Sequence, residues 1–170
     1  QREKTRFEPT SPYGCAKVFG YNLTKHYRKA YKIFAANGIL FNHESKRRGS
    51  NFVTSKVVKT AVRIKHKLET ELVLGNMDSS RDWGHSKDYV SAMHLILSQN
   101  DPDDYVVATG QTRTVRELCE YVFTKLNLNL EKYLKTSEKF MRPEELRYLK
   151  GDSSKIREKL KWKPKYSFEN

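Results

Sequence analysis

The chain has 170 residues, 33 of them Lys or Arg and 20 Asp or Glu, for a formal net charge of +13. That length fits one compact domain or part of a larger protein, and a hydrophobic content of 37% still leaves enough branched and aromatic residues for a core. No long apolar run offers a membrane-spanning helix, and two cysteines, Cys15 and Cys119, give neither a disulfide framework nor metal-ligand spacing. Both are expected to be small buried residues in a reducing, cytoplasmic setting. The start, Gln1-Arg2-Glu3-Lys4, reads neither as a secretory signal nor as a natural N-terminus, so an N-terminal part is expected to be missing. The charge is uneven. Residues 1–70 hold 16 Lys/Arg against 4 Asp/Glu, and residues 71–170 hold 17 against 16. A basic half of this kind suits a phosphate-rich ligand or a nucleic acid, although a solvated lysine surface accounts for most of the lysines.

Ser11-Pro12 predicts a helix start, with a Ser cap and Pro at the first helical position. Ala16, Gly20, Leu23, Tyr27 and Ala30 then recur at helical spacing and should form its inward face. The run Ile33 to Phe41 suits a strand buried on both sides, and Asn42 to Asn51 reads as a polar loop. Phe52 to Lys67 is predicted as a helix burying Val53, Val57, Ala61 and Ile64. Glu71 to Leu74 should be a short strand and Asn76 to Gly84 a loop. His85 to Ser98 is predicted as a helix with Val90, Met93 and Leu97 inward, and Tyr105 to Ala108 as a strand. Thr114 caps a helix to about Leu126, with Glu117 placed for a capping box. A last helix covers Ser153 to about Leu160, closed by Trp162-Lys163-Pro164. Helices alternating with about three strands argue for an α/β fold, although three are few for a freestanding doubly wound sheet.

Tyr13-Gly14-Cys15-Ala16-Lys17 places a phenol and an ammonium four residues apart, on one helix face. A free Tyr, with a pKa near 10, is a poor base at neutral pH, and a neighbouring cation favours the phenolate. Such a pair can take a proton from a sugar hydroxyl while a hydride leaves the adjacent carbon. The bare spacing also occurs by chance in many helices, so the surroundings decide.

Those surroundings are Pro9-Thr10-Ser11-Pro12 ahead of Tyr13, then Asn37 to Ser45, Arg47-Arg48-Gly49 and Phe52-Val53-Thr54. Leu74 to Ser79, Arg81-Asp82-Trp83-Gly84-His85, Lys87-Asp88-Tyr89-Val90, Arg142-Pro143-Glu144-Glu145, Gly151-Asp152 and Lys159 to Pro164 follow in order. Together they resemble the C-terminal half of GDP-mannose 4,6-dehydratases, members of the extended short-chain dehydrogenase/reductases. The resemblance implies an α/β fold: residues 1–170 are the C-terminal part of a Rossmann-like enzyme, interleaving the end of the cofactor domain with a smaller substrate-binding domain. It implies that the N-terminal dinucleotide-binding half is absent, in keeping with eight glycines that form no G-x-G or G-x-x-G-x-x-G pattern after a strand.

By the same resemblance Tyr13 is the catalytic base and Lys17 its partner, both on the nicotinamide ribose. His43 and Arg48 contact NADP. Asn42, Lys56, Arg81, Arg142 and Glu145 line the GDP-mannose site, the arginines on the diphosphate, where planar guanidinium groups suit phosphate oxygens. The implied reaction turns GDP-mannose into GDP-4-keto-6-deoxymannose, a lyase step towards GDP-fucose or GDP-rhamnose. The family's remaining catalytic Thr and Glu lie upstream of residue 1, so this chain alone is not expected to turn over. A homodimer or homotetramer is implied, with the helices starting at Pro12 and Phe52 as interface candidates. No metal, membrane or nucleic-acid partner is expected. The family's longer insertion is shortened between Asn127 and Phe140, and Lys46 replaces its usual Pro.

Each assignment has a plainer alternative. His43 could be a loop histidine, Arg47, Arg48 and Lys56 solvated charges, and Arg81 a structural partner of Asp78 or Asp82. Trp83 and Trp162 read as packing anchors and Asp88 as structural. Other readings of the whole are a dehydratase or epimerase of another nucleotide sugar, a non-catalytic sugar-nucleotide-binding subunit, and a basic nucleic-acid-binding module. The last lacks any recognised motif or aromatic interleaving.

Overall fold

The computed structural model describes residues 1–141, 144 and 146–170. In chain order the elements are α1 (Pro12–Tyr31), β1 (Asn37–Leu40), β2 (Asn42–Glu44), α2 (Val53–Lys65), β3 (Leu72–Leu74), β4 (Ser80–Arg81), β5 (Trp83–His85) and α3 (Ser86–Leu97). β6 (Asp104–Val107), β7 (Arg113–Thr114), α4 (Val115–Lys125), α5 (Leu130–Tyr133), β8 (Leu134–Thr136), a 3-10 turn (Glu138–Phe140), β9 (Tyr148–Leu149) and α6 (Ser154–Leu160) follow. They fall into two compact units, residues 1–43, 82–111 and 150–170 in the first, and 44–81 and 112–149 in the second.

In the first unit β1 runs parallel to β6, in register from Asn37 opposite Asp104 to Leu40 opposite Val107. A core of Tyr89, Ala92, Ile96, Tyr105, Val107, Ile156 and Trp162 joins α3 and α6 to this pair. Burying each larger apolar side chain stabilises the fold by about 1.5–3 kcal/mol. Asp88 and Trp162 are structural, as the sequence suggests. The Asp88 carboxylate accepts from the Lys165 and Tyr166 N–H groups, both at 3.0 Å, and its carbonyl accepts from the Trp162 indole at 3.1 Å.

Four expectations for this unit are corrected. The buried strand is shorter than predicted, because Ile33 and Phe34 are exposed and only Asn37–Leu40 finds a partner strand. α1 starts as expected, the Ser11 hydroxyl accepting from Gly14 N–H at 3.0 Å ahead of Pro12, yet Ala16, Gly20, Leu23, Tyr27 and Ala30 face outward. Polar anchors turn the helix instead: Arg28 pairs with Asp104 at 2.6 Å and the Tyr21 hydroxyl donates to the same carboxylate at 3.2 Å. α3 buries Asp88, Tyr89, Ala92 and Ile96 rather than Val90, Met93 and Leu97, and Val90 and Leu97 stay 61% and 65% exposed. Two stripes of the same spacing compete one residue apart, about 100° around the helix. The stripe with the larger Tyr89 and the chain-anchoring Asp88 wins. Cys15 is exposed, against expectation, while Cys119, in the second unit, is buried.

In the second unit α2 packs on α4, burying Val57, Ala61 and Ile64 from one helix and Val115, Leu118, Cys119 and Phe123 from the other. The capping box forms as read: the Thr114 hydroxyl accepts from Glu117 N–H at 3.0 Å, and the Glu117 carboxylate accepts from Thr114 N–H at 2.6 Å. β3 and β8 pair in parallel, while β4 lies between antiparallel β7 and parallel β9. Nine short strands stand among the described residues, where the sequence suggests about three. The predicted loops Asn42 to Asn51 and Asn76 to Gly84 contain β2, β4 and β5, which are two or three residues long and defined by distant partners.

Candidate active-site residues

The first turn of α1 presents Tyr13 and Lys17 together. The Lys17 ammonium lies 5.3 Å from the centroid of the Tyr13 ring, and Tyr13 is 72% exposed. Nothing in the first unit packs the phenol away, so both groups can meet a ligand.

Asn42 and His43 enter on β2, which pairs with β5. Both are half-buried. The His43 Nδ1 lies 2.8 Å from the Phe41 carbonyl oxygen, and its ring stacks on Tyr89, centroids 4.6 Å apart and planes at 22°. His43 is therefore held on two sides and is not a free loop histidine.

The remaining cations belong to the second unit. Arg48 Nε sits 3.1 Å from the Glu44 carboxylate, which also accepts from the Thr54 hydroxyl at 2.9 Å. The Arg48 guanidinium carbon lies 3.5 Å over the Phe52 ring, a cation–π arrangement that fixes the plane of the group. Lys56 does not face solvent: its Nζ donates to the Val73 carbonyl at 2.7 Å and lies 4.0 Å from the centroid of Phe140. Arg81 sits on β4 directly opposite Arg113 on β7, and its Nη1 donates to the Ser80 carbonyl at 2.9 Å. Arg142 and Glu145 lie outside the described residues.

Sequence reasoning missed Arg113, because the register that places it beside Arg81 is long-range and leaves no local signal. It also missed the part played by Asp82. This fully buried carboxylate accepts from the Thr109 N–H and hydroxyl on Oδ1, and from the Gly110 and Gly151 N–H groups on Oδ2. An Asp between an Arg and a Trp at a strand junction was the available cue. Among the described residues no group of three or more His, Cys, Asp or Glu could hold a metal ion, and no helix is long and apolar enough to cross a membrane.

The model of the family described as GDP-mannose 4,6 dehydratase matches residues 1–170. The chain belongs to the GDP-mannose 4,6 dehydratase family. It is 50% identical over 169 residues to GDP-mannose 4,6 dehydratase 1 of Arabidopsis thaliana, covering 99% of this chain and 47% of that protein. It is 41% identical over 186 residues to the Homo sapiens GDP-mannose 4,6 dehydratase, covering 99% of this chain and 50% of the relative. The chain thus spans about half the length of the curated relatives it matches. Among solved structures it resembles RMD from Pseudomonas aeruginosa complexed with NADPH, with a TM-score of 0.88 at 25% identity over 97% of this chain and 55% of that one. The dTDP-glucose 4,6-dehydratase of Bacillus anthracis, in complex with NAD, shares the fold with a TM-score of 0.86 at 23% identity, over 98% of this chain and 51% of that one. The fold is α/β, that of the C-terminal part of a Rossmann-like extended short-chain dehydrogenase.

Proposed function

We propose that the chain is the C-terminal half of a GDP-mannose 4,6-dehydratase, a lyase that converts GDP-mannose to GDP-4-keto-6-deoxymannose, and that residues 1–170 interleave the end of its cofactor domain with its substrate-binding domain. The observation that carries this reading is the exposed Tyr13–Lys17 pair on the first turn of α1, in a chain that matches the family from end to end. In this role Tyr13 removes the proton of the C4 hydroxyl, and the Lys17 ammonium steadies the negative charge left on the phenolic oxygen.

A nicotinamide cofactor, NADP by likeness to the Pseudomonas neighbour complexed with NADPH, would supply a hydride acceptor that later returns the hydride. Within the first unit the Lys17 ammonium and the His43 imidazole held against Phe41 suit hydroxyl groups of such a ligand, and within the second the Arg48 guanidinium levelled over Phe52 suits a phosphate. Arg81, with Asn42, Lys56, Arg142 and Glu145, is assigned to GDP-mannose, the arginines to its diphosphate, whose oxygens planar guanidinium groups suit. The net reaction is loss of water across C5 and C6, so the cofactor is not consumed.

α1 leaves Phe19, Leu23, Tyr27 and Tyr31 exposed, and α2 leaves Val58 and Val62, which supports a homodimer or homotetramer. A cytoplasmic location follows from the nucleotide-sugar substrate. The test is incubation of the full-length protein carrying this chain with GDP-mannose and NADP, read by mass spectrometry. The expected product is lighter than the substrate by one water. An unchanged substrate mass at saturating NADP overturns the reading.

A further inference from the structure

His43 and Tyr89 form a unit that the assignments above leave unexplained. Among the described residues, the one hydrogen-bond partner of the His43 ring is the Phe41 carbonyl oxygen, 2.8 Å from Nδ1. A carbonyl oxygen has lone pairs and no proton, so this bond requires the proton on Nδ1. In the neutral ring Nε2 is then a bare lone pair with no hydrogen-bond partner among the described residues, on a half-buried side chain. Tyr89 supplies the plate beneath the ring, 4.6 Å away and inclined by 22°. The plate cannot tilt freely. Tyr89 is fully buried, Trp162 meets it edge-on at 6.4 Å and 84°, and a Cβ on Gly84 would fall 2.4 Å from its Cε2, so only glycine leaves it room.

We propose that Tyr89 is a positioning residue: with the Phe41 carbonyl it fixes His43 in the Nδ1–H tautomer, so that Nε2 accepts a hydrogen bond from an N–H or O–H group of the bound cofactor rather than meeting a phosphate oxygen. This deepens, and rests on, the nicotinamide-cofactor reading above. The donor is either a ribose hydroxyl or the carboxamide of the nicotinamide. Both share the chemistry of a neutral hydrogen-bond donor.

The first arm needs no cofactor. In the chain labelled with 15N-histidine, the two ring nitrogens of His43 should give one pyrrole-type signal at Nδ1 and one pyridine-type signal at Nε2. Tyr89→Phe should keep that pattern, and Tyr89→Leu should average it. A proton on Nε2 in the wild type, or a pattern that Tyr89→Leu leaves intact, overturns the proposal. A second arm reads NADPH affinity by fluorescence in the full-length protein. Tyr89→Leu and His43→Phe should each weaken binding about tenfold, the scale of one lost hydrogen bond, and Tyr89→Phe should restore most of it. Wild-type affinity in Tyr89→Leu or His43→Phe overturns the proposal. Competition with 2′-phospho-ADP-ribose, which keeps the ribose and lacks the nicotinamide ring, separates the donors. If its affinity also falls in His43→Phe, the ribose hydroxyl is the donor. If only NADPH is affected, it is the carboxamide. Wild-type protein that binds no NADPH while the tautomer pattern holds overturns the cofactor reading instead.

Discussion

Asp82 grips Thr109 twice on one carboxylate oxygen, by its backbone N–H at 2.9 Å and its hydroxyl at 2.6 Å, while its other oxygen takes the N–H groups of Gly110 and Gly151. A carboxylate with no exposed surface is stable only when its lone pairs are filled, and here four donors fill them. Asp82→Ala leaves three N–H donors without an acceptor and the Thr109 hydroxyl with only the Gln111 carbonyl, and should cost about 3–5 kcal/mol. Asp82→Asn should cost less, because one oxygen remains, although its amide turns two hydrogens towards other donors. Urea unfolding of both variants measures the difference, and an Asp82→Ala cost below about 1 kcal/mol would mean the network is not formed.

Tyr89 makes the opposite prediction. Its hydroxyl is buried without a hydrogen-bond partner among the described residues. Burial, then the charges of Asp82 and Asp88, push its ionisation far above the ordinary tyrosine range, so it stays a neutral phenol throughout the accessible pH range. Because Tyr89→Phe removes an unsatisfied group and keeps the ring, the melting temperature should hold or rise by a few degrees. A clear drop would reveal a partner for the hydroxyl.

The two cysteines should separate cleanly. Cys15 is exposed, and burial pushes the Cys119 thiol up to about 12. At pH 8 the folded chain should react with a thiol reagent once, rapidly, and a second time only in denaturant. Two rapid equivalents in the native state would contradict the packing of α4.

Acid stability has a local source in Asp103. Burial opposes its charge, but hydrogen bonds from Lys155, Asp104 N–H and Lys159 outweigh that and hold its carboxyl below the usual range. A depressed folded value means stability that is present above the ordinary Asp pKa and lost as pH falls through the lower folded value. Asp103→Asn should therefore be less stable than wild type at pH 5–7, and the gap should close below about pH 4. Unfolding curves at a series of pH values check the sign, and a gap that widens in acid would reverse it.

What the sequence discloses follows the range of the interaction. The Ser11 cap, the Thr114–Glu117 box and most of the buried stripe of α2 are written within a turn or two of chain, and the structure has them where they are read, with Val53 only half-buried. α1 and α3 mislead because the face turned inward is chosen by distant residues, Asp104 for one and the Trp162 segment for the other. Strands of two or three residues, such as β4, β7 and β9, have no periodicity to detect and exist only through their register. The candidate site divides in the same way. Tyr13 and Lys17 are legible as a local pair, whereas Arg113 opposite Arg81 and Tyr89 under His43 are visible only once the chain is folded.

The central claim is that Tyr13 serves as the base of a GDP-mannose dehydration. The measurement that meets it most directly is the rate of GDP-4-keto-6-deoxymannose formation by the full-length protein with saturating NADP, wild type against Tyr13→Phe. The account predicts a fall in kcat of about 10²–10⁴-fold with the fold and GDP-mannose binding retained. A Tyr13→Phe enzyme that turns over at the wild-type rate would contradict it.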